Sequence, residues 1–221
     1  MPSIALALIT REAAVPEIID VVPGDPEFAG MVKARRRELH KLTRMLRDGK
    51  ITIDDWFDQS TAVLLEGHTR AAYFGRLLAI QKQAKSDLVD VWAGQEAADH
   101  EDYYLRGFAE ALLNKDPRYW DATAEKWIEG AINTRQDMYL PYMRGTANKA
   151  FLRESTGYFF DWVLGGVEDH CEECPEYAAA SPWAAVELPT HPGDNDTPCR
   201  FNCKCFLRRE DDIEGFKPLD L

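Results

Sequence analysis

The chain has 221 residues, of which 45% are hydrophobic and 29% charged, which is enough for a folded core and one small additional module. Its formal net charge of −12 excludes attraction to nucleic acid or to an anionic membrane through the overall field. No run approaches the ~20 apolar residues that a membrane helix needs, and no secretion signal is visible. We therefore expect a protein made in the cytoplasm, with no membrane partner.

The N-terminal 26 residues are predicted to form an extended arm. Four prolines interrupt any helix in this segment, and Val22-Pro23-Gly24-Asp25 is typical of a turn. The prolines are Pro2, Pro16, Pro23 and Pro26. Helical periodicity begins only at the last of them, so we place the start of a helical body at residue 27.

The first predicted helix has one apolar and one basic face. Its apolar face carries Val32, Leu39, Leu42 and Leu46. Its basic face carries Lys33, Arg37, Lys41 and Arg44. Asp48-Gly49 is predicted to end the helix, since glycine readily adopts the left-handed cap. The basic stretch 33–50 is either a solvated surface or a contact with the phosphates of DNA.

A second helix is predicted to begin with an N-cap at Thr52. Its stripe of apolar and small residues consists of Trp56, Ser60, Val63, Gly67, Ala71, Phe74 and Leu78. The small residues of this stripe would allow a neighbouring helix to approach closely. His68, Arg70 and Arg76 lie within three turns of this helix. They indicate either a polar contact with DNA or a partner protein, or, as we favour, a solvated face with one histidine at the edge of the core.

Two further helices are predicted before residue 141. The third begins after Ser86, with a stripe of Val91, Gln95, Ala98, Leu105, Ala109 and Leu112. The fourth begins near Tyr119, with Trp120, Ala124, Trp127, Ala131, Thr134 and Met138 in register. Tryptophans on these helical stripes are interpreted as core or subunit contacts: Trp56, Trp92, Trp120 and Trp127. Pro141 is predicted to end or kink the fourth helix, and helix is predicted to resume through Phe151. The pattern predicts a helical bundle of four or five helices over residues 27–165.

The character of the sequence changes after Tyr158. Residues 158–164 form a short apolar run that fits either a strand or a last helical turn, and Gly165-Gly166 closes it. From there the composition shifts to cysteine, proline, aspartate and small residues. We therefore predict a cysteine-rich, irregular, metal-binding module and tail over residues 166–221.

All five cysteines of the chain lie in this module, in the pattern Cys171-x-x-Cys174, a gap, then Cys199-x-x-x-Cys203-x-Cys205. A C-x-x-C turn places two thiolates at the spacing of a tetrahedral ion, and the second cluster can supply the other pair. The gap is rich in proline and poor in apolar residues, so a bound ion would supply folding free energy. The sequence therefore predicts one structural zinc ion.

Four ligands suffice for zinc, which leaves one cysteine spare. We favour Cys171, Cys174 and Cys203, with Cys205 or Cys199 as the fourth ligand. Two histidines, His170 and His191, are alternative ligands. A mixture of free thiols and disulfides is the less favoured interpretation, because the number of cysteines is odd and the expected compartment is reducing.

Enzymatic chemistry has little support in the sequence. There is no H-E-x-x-H motif, no nucleophile with a base at a recognisable spacing and no glycine-rich phosphate loop. Four thiolates would also close the ion to water and substrate. We expect no catalytic residue and no small-molecule substrate. A metal-dependent nuclease would need an open coordination site, with His170 as the base.

Two stretches of the chain resemble the head morphogenesis, or minor head, proteins of tailed bacteriophages, the Mu F-like group. The first is the helical part from 46 to 76, with Asp48-Gly49-Lys50-Ile51-Thr52 and Gly67-His68-Thr69-Arg70-Ala71. The second is the cysteine-rich end, with Cys171-Glu172-Glu173-Cys174 and Asn202-Cys203-Lys204-Cys205. In one respect the chain departs from the group, since His191-Pro192 stands upstream of Cys199 instead of beside the closing C-x-C.

The resemblance implies a non-enzymatic virion component. Such a protein associates with portal and capsid proteins at low copy number and assists head assembly and DNA packaging or ejection. The zinc module would stiffen a terminus that docks on a partner. The alternative interpretation is a zinc-dependent DNA-binding or regulatory protein, in which the basic helix and residues 200–209 would grip DNA.

Overall fold

The computed structural model describes residues 26–80, 85–166, 170–194, 197–199 and 203–209. The arm predicted over residues 1–26 lies outside the described residues, apart from Pro26, which begins the first helix. The described chain is mainly α-helical and ends in a small irregular region that carries the cysteines. The predicted fold class is therefore confirmed.

Three long helices and two shorter ones form the helical body: α1 (Pro26–Arg47), α2 (Ile53–Ile80), α3 (Leu88–Leu113), α4 (Glu129–Asp137) and α5 (Tyr142–Glu154). Helix α2 is central and packs against α1, α3 and α5. The core surrounds the fully buried Trp56, whose ring meets Phe108 edge to face at 5.2 Å. Side chains of all five helices contribute to it, among them Leu39, Leu105, Ile132 and Met143.

Local signals in the sequence fix the ends of these helices. Gly49 takes a φ of +66° after α1, as predicted for a left-handed cap. At the start of α2 the Thr52 hydroxyl accepts a hydrogen bond from the backbone N–H of Asp55. In return, the Asp55 carboxylate accepts one from the backbone N–H of Thr52. Asp87 and Asp90 form the same reciprocal box at the start of α3. Each box satisfies backbone donors that a helix start would otherwise leave unpaired.

The prediction of a helix from Tyr119 was wrong. Residues 120–127 instead form a hairpin in which β1 (Trp120–Asp121) pairs antiparallel with β2 (Lys126–Trp127). The two tryptophans lie directly opposite each other, with ring centroids 4.7 Å apart. The Asp121 carboxylate accepts from the backbone N–H groups of Thr123 and Ala124 and so stabilises the turn. Helix resumes only at Glu129.

The polar residues of α2 are placed differently from the expectation. His68 is fully buried, with one ring nitrogen 2.8 Å from the Thr146 hydroxyl and the other 3.0 Å from the Glu101 carboxylate. Arg76 is also buried and donates to both carboxylate oxygens of Asp90 at 2.8 Å. The solvated face is therefore wrong for Arg76, and His68, which was expected at the edge of the core, lies fully inside it, because both find partners within the bundle.

Of two other side chains on the helical body, Arg70 is placed as predicted and Trp92 is not in the core. Arg70 is exposed, as expected, and pairs with Glu66 one turn earlier at 2.9 Å. Trp92, expected in the core or at a subunit contact, is 67% exposed on α3 and does not belong to the core. Of the predicted stripe of α3, Ala98, Leu105, Ala109 and Leu112 are buried as expected, whereas Gln95 is exposed and Gly94 is buried beside it.

The small residues of α2 allow α5 to approach closely. A Cβ atom built on Gly75 would overlap the backbone carbonyl oxygen of Ala147, and one built on Gly67 would overlap the end of the Met143 side chain. The close approach that the sequence predicted at Gly67 is confirmed, and Gly75 makes the tighter contact because it meets backbone instead of a flexible side chain.

Replacement of Gly75 by alanine is expected to lower the free energy of unfolding by about 1–3 kcal/mol, the usual cost of overpacking. The added methyl group must displace the backbone of α5 at Ala147. Gly107→Ala is the matched control, since a Cβ at this helical glycine has no neighbour within 4 Å. That control should be neutral or stabilising, up to about 1 kcal/mol. Urea unfolding measures both, and equal stability of the two variants would contradict the packing argument.

The cysteine-rich region is organised by a three-stranded antiparallel sheet. Its central strand is β3 (Phe159–Val163), flanked by β4 (Trp183–Ala184) and β5 (Phe206–Arg209). A short helix, α6 (Glu173–Ala179), lies between β3 and β4 in the chain. Of the two alternatives for residues 158–164, the structure therefore has the strand. Because β3 precedes the cysteines and β5 follows them, their pairing brings both cysteine clusters together.

Candidate metal centre

The five cysteines occupy three short segments at one end of the sheet. Cys171 and Cys174 bracket the start of α6, Cys199 lies in the segment 197–199, and Cys203 and Cys205 immediately precede β5. Three of the side chains are buried, with Cys174 and Cys205 each 1% exposed and Cys203 2% exposed. The other two are half-buried. The spacing in the sequence thus corresponds to a cluster in space.

The sulfur atoms form two overlapping triads that share Cys174. Cys174 Sγ lies 3.1 Å from Cys171 Sγ, 3.8 Å from Cys199 Sγ and 3.7 Å from Cys203 Sγ. Cys171 and Cys199 complete one triad at 3.4 Å, and Cys203 and Cys205 complete the other, with all sulfurs of a triad within 4.8 Å. Tetrahedral zinc with bonds of 2.3 Å would hold its sulfurs about 3.8 Å apart. The cluster can therefore hold a metal ion.

None of the five cysteines forms a disulfide. The shortest sulfur–sulfur separation, 3.1 Å between Cys171 and Cys174, is well beyond the ~2.05 Å of a disulfide bond. The two histidines considered as ligands lie in different places. His170 Nδ1 is 3.7 Å from Cys205 Sγ, at the edge of the cluster. His191 lies outside both triads, with Nε2 3.4 Å from an Asp194 carboxylate oxygen. Which four groups would bind an ion stays a prediction.

Two of the buried thiols, Cys174 and Cys203, have pKa values raised above the ordinary thiol value. Burial raises the pKa of Cys174 far above the ordinary thiol value, and hydrogen bonding to Cys171 adds to the effect. Burial likewise raises the pKa of Cys203 to about 12. Cys171 differs: burial raises its pKa, but side-chain and backbone hydrogen bonds with Cys174 and Cys199 outweigh burial, so that the pKa is lowered. A divalent cation at the centre would reverse this balance and bind thiolates with release of protons.

Arg144 of α5 fixes the second cysteine cluster to the helical body. Its guanidinium donates to the backbone carbonyl oxygen of Cys203 at 2.7 Å and to that of Cys205. Burial lowers the pKa of this arginine, while the neighbouring Cys203 and Cys205 raise it. A guanidinium at this position would partly balance the negative charge of a thiolate-bound ion, as outer-shell groups do in metal sites.

Aromatic side chains form the wall behind the sulfurs. Trp162 of β3, 2% exposed, packs in the same cluster as Cys174, Cys203 and Cys205, and its ring centroid lies 4.8 Å from that of Tyr177. Its backbone N–H donates to the Ser181 hydroxyl at 2.8 Å. This wall limits access of water to the buried side of the cluster and couples the positions of the thiols to the sheet.

The loop before the second cluster docks on α5. The Asn148 amide donates to the backbone carbonyl of Pro192 at 2.6 Å. Gly145 lies directly against the backbone of Gly193, which takes a φ of +87°. Sequence reasoning missed Arg144, Gly145 and Asn148, since nothing in the pattern of α5 indicates their distant partners. The cysteine-rich region is thus attached to the body at several points.

The basic face of α1 is separate from this centre. Several cations of the stretch 33–50 are engaged by carboxylates, such as Arg35 with Glu66 and Arg36 with Asp137. Four others are exposed and form no ion pair with a described carboxylate: Lys33, Arg37, Lys41 and Arg44. These four residues, the α1 basic face, coincide with the face predicted from periodicity.

Comparison of the chain with protein-family models, curated proteins and solved structures gives no match, so its function has to be argued from the residues and their geometry. No described helix combines the length and the apolar character required to span a bilayer.

Proposed function

We propose that this protein is a minor head, or head morphogenesis, protein of a tailed bacteriophage, and that it acts as a structural component of the virion. In this proposal it associates with portal and capsid proteins and assists head assembly and DNA packaging or ejection. The observation that carries the proposal is the cysteine cluster at the end of a helical body, attached to that body by Arg144. This arrangement agrees with the resemblance of the sequence motifs.

The metal in the proposal is one structural zinc ion. Four of the thiols form pairs 3.1–3.8 Å apart, and that of Cys205 lies within 4.8 Å of two of them, which suits a soft, tetrahedral ligand set. Zinc has no redox chemistry of its own, and four thiolates would complete its coordination. The ion would supply folding free energy to a region whose buried apolar cluster is small.

A non-enzymatic role follows from the same features. A closed sulfur shell leaves no position for water or substrate at the ion. The hydroxyl–histidine–carboxylate arrangement of Thr146, His68 and Glu101 superficially resembles a catalytic triad, but all three side chains are buried in the bundle. Their role in the proposal is to join α2, α3 and α5.

Quantitative mass spectrometry of purified virions tests the proposal. The protein should be present in a few copies per particle, when counted against the portal and major capsid proteins. Loss of the gene should leave particles with defective heads or reduced DNA delivery. Complete absence of the protein from mature particles, together with normal heads in the deletion mutant, would reject the assignment.

A zinc-dependent DNA-binding protein is the second candidate, and the α1 basic face is the observation that favours it. Its four cations are exposed and lack carboxylate partners among the described residues. Each phosphate contact adds about 0.9 to the slope of log K against log salt concentration. Duplex DNA should therefore bind with a steep salt dependence that Lys41→Gln/Arg44→Gln reduces by about two. No retention on DNA at low salt would remove this candidate.

A further inference from the structure

A cleft on the helical body differs in chemistry from the cysteine cluster, because arginine and tyrosine side chains line it. This cleft of about 520 Å³ is bordered by the C-terminal half of α3, by Arg118 and Tyr119, and by Arg135 of α4. The buried rings of Phe108 and Tyr119 lie in its lining with centroids 4.9 Å apart. We call it the tyrosine–arginine cleft.

Two exposed aromatic rings stand at this cleft. Tyr103 is 78% exposed and Tyr104 46% exposed, and their ring centroids are 5.3 Å apart in an edge-to-face arrangement. Neither side chain belongs to the core of the helical body. Large rings in water beside a concave site are available for stacking against a planar ligand.

The three arginines of the cleft differ in how their charge is balanced. Arg106 is paired with Asp102 at 2.6 Å, and Arg118 with Asp116 at 2.7 Å. Arg135 forms no ion pair with any carboxylate in the described ranges. Its guanidinium lies over the rings of Phe108 and Tyr139, at 5.9 and 5.4 Å from their centroids. These ring contacts, together with a hydrogen bond from Nη1 to Met138 Sδ at 3.4 Å, orient the group and leave its other N–H donors for an anion.

We propose that the tyrosine–arginine cleft binds one nucleotide unit, with the base stacked on the exposed tyrosines and the phosphate paired with Arg135. The volume lies within the usual 300–1,000 Å³ of small-ligand sites. Arginine matches the geometry of phosphate oxygens, and aromatic rings accept any base. This inference goes beyond the proposed function and does not depend on the metal or on the α1 basic face.

The residues that line the cleft also determine how many phosphates and which bases the site accepts. Two of the three arginines are already neutralised, and the Glu110 carboxylate borders the cleft, so a single phosphate is favoured over a polyphosphate. Among the described residues that line the cleft, none is an Asn, Gln, Ser or Thr that would distinguish the edges of the bases. Binding should therefore tolerate all four bases. A free mononucleotide and a nucleotide of a single strand share this chemistry, and the experiment separates them.

Isothermal calorimetry with the full chain tests the site, using adenosine monophosphate, a short oligodeoxyadenylate and inorganic phosphate. We expect a nucleotide probe to bind at least about tenfold more tightly than phosphate, because stacking contributes in addition to charge. Comparable affinity of the mononucleotide and the oligonucleotide identifies the free nucleotide as the ligand, whereas much tighter oligonucleotide binding identifies a single strand. No heat from either nucleotide at millimolar concentration, or equal binding of phosphate, overturns the proposal.

Variants locate the binding. Tyr103→Ala and Arg135→Gln should each weaken it about tenfold, while Trp92→Ala, an equally exposed aromatic of the same helix outside the cleft, should not change it. Where circular dichroism shows that Arg135→Gln has lost helix, Tyr104→Ala replaces it and should weaken binding about tenfold, since it removes the second exposed ring of the cleft. If the Lys41→Gln/Arg44→Gln variant loses oligonucleotide binding while the cleft variants retain it, the cleft is not the site.

Discussion

Replacement of Cys174 by serine is expected to abolish metal binding and to unfold the cysteine-rich region, while the helical body remains folded. Cys174 is the sulfur that both triads share, and it is 1% exposed. Loss of one thiolate would break the tetrahedral shell of the proposed zinc ion, and structural zinc contributes an apparent ~10–16 kcal/mol in zinc-finger peptides. The body has its own core around Trp56, which is separate from the cluster around Trp162.

Metal analysis and spectroscopy together measure this result. Elemental analysis should give about one zinc per chain in the wild type, as expected for one closed site, and almost none in the variant. Near-ultraviolet circular dichroism should report the loss of fixed packing around Trp162, while the far-ultraviolet helix signal remains. Treatment of the wild type with a strong chelator should reproduce the spectrum of the variant. A Cys174→Ser chain that keeps its zinc would contradict the proposed ligand set.

Three cysteines that belong to only one triad supply matched controls. Five thiols are available for four positions, so one of them is expected to be dispensable. Cys199 and Cys171 belong to one triad and Cys205 to the other. Serine replacements made singly at these positions should retain zinc in one case and lose it in the others. The tolerant position identifies the spare thiol, and loss of zinc in every variant would indicate that another group completes the shell.

Amphipathic periodicity predicted the long helices well because burial of one face is what stabilises them. The hairpin at 120–127 was missed for a related reason. Trp120 and Trp127 are seven residues apart, a spacing that places them on one face of a helix as readily as opposite each other in a hairpin. The Asp121 carboxylate decides between the two, because it satisfies backbone donors in the turn.

The sequence predicted the cysteines that form the candidate site, but not the residues that surround and support them. Cysteine spacing carries information because a metal requires thiolates at short separations, and the structure places all five together. Arg144 carries no such signal, since its partners at Cys203 and Cys205 lie about sixty residues further along the chain. The same is true of His68, whose partners Glu101 and Thr146 lie on two other helices. Partners brought together by tertiary packing leave no local pattern.

Replacement of Arg76 by alanine is expected to lower the free energy of unfolding by about 3–5 kcal/mol, because it leaves a buried carboxylate without its counter-charge. Asp90 is 0% exposed, and both of its oxygens accept from Arg76 at 2.8 Å. Arg76 also donates to the backbone carbonyl of Lys85 at 2.7 Å, so it joins α2 to the approach of α3. Denaturant unfolding, followed by the helix signal, measures the change.

An exposed ion pair of the same helix provides the control for this prediction. Arg70 pairs with Glu66 at 2.9 Å but is 46% exposed at its side chain, so Arg70→Ala should cost less than about 1 kcal/mol. The double replacement Arg76→Leu/Asp90→Leu removes both buried charges, and it should be less destabilising than Arg76→Ala alone. If Arg76→Ala costs no more than Arg70→Ala, Asp90 must be reached by water. The burial of the pair would then not be what holds α2 and α3 together.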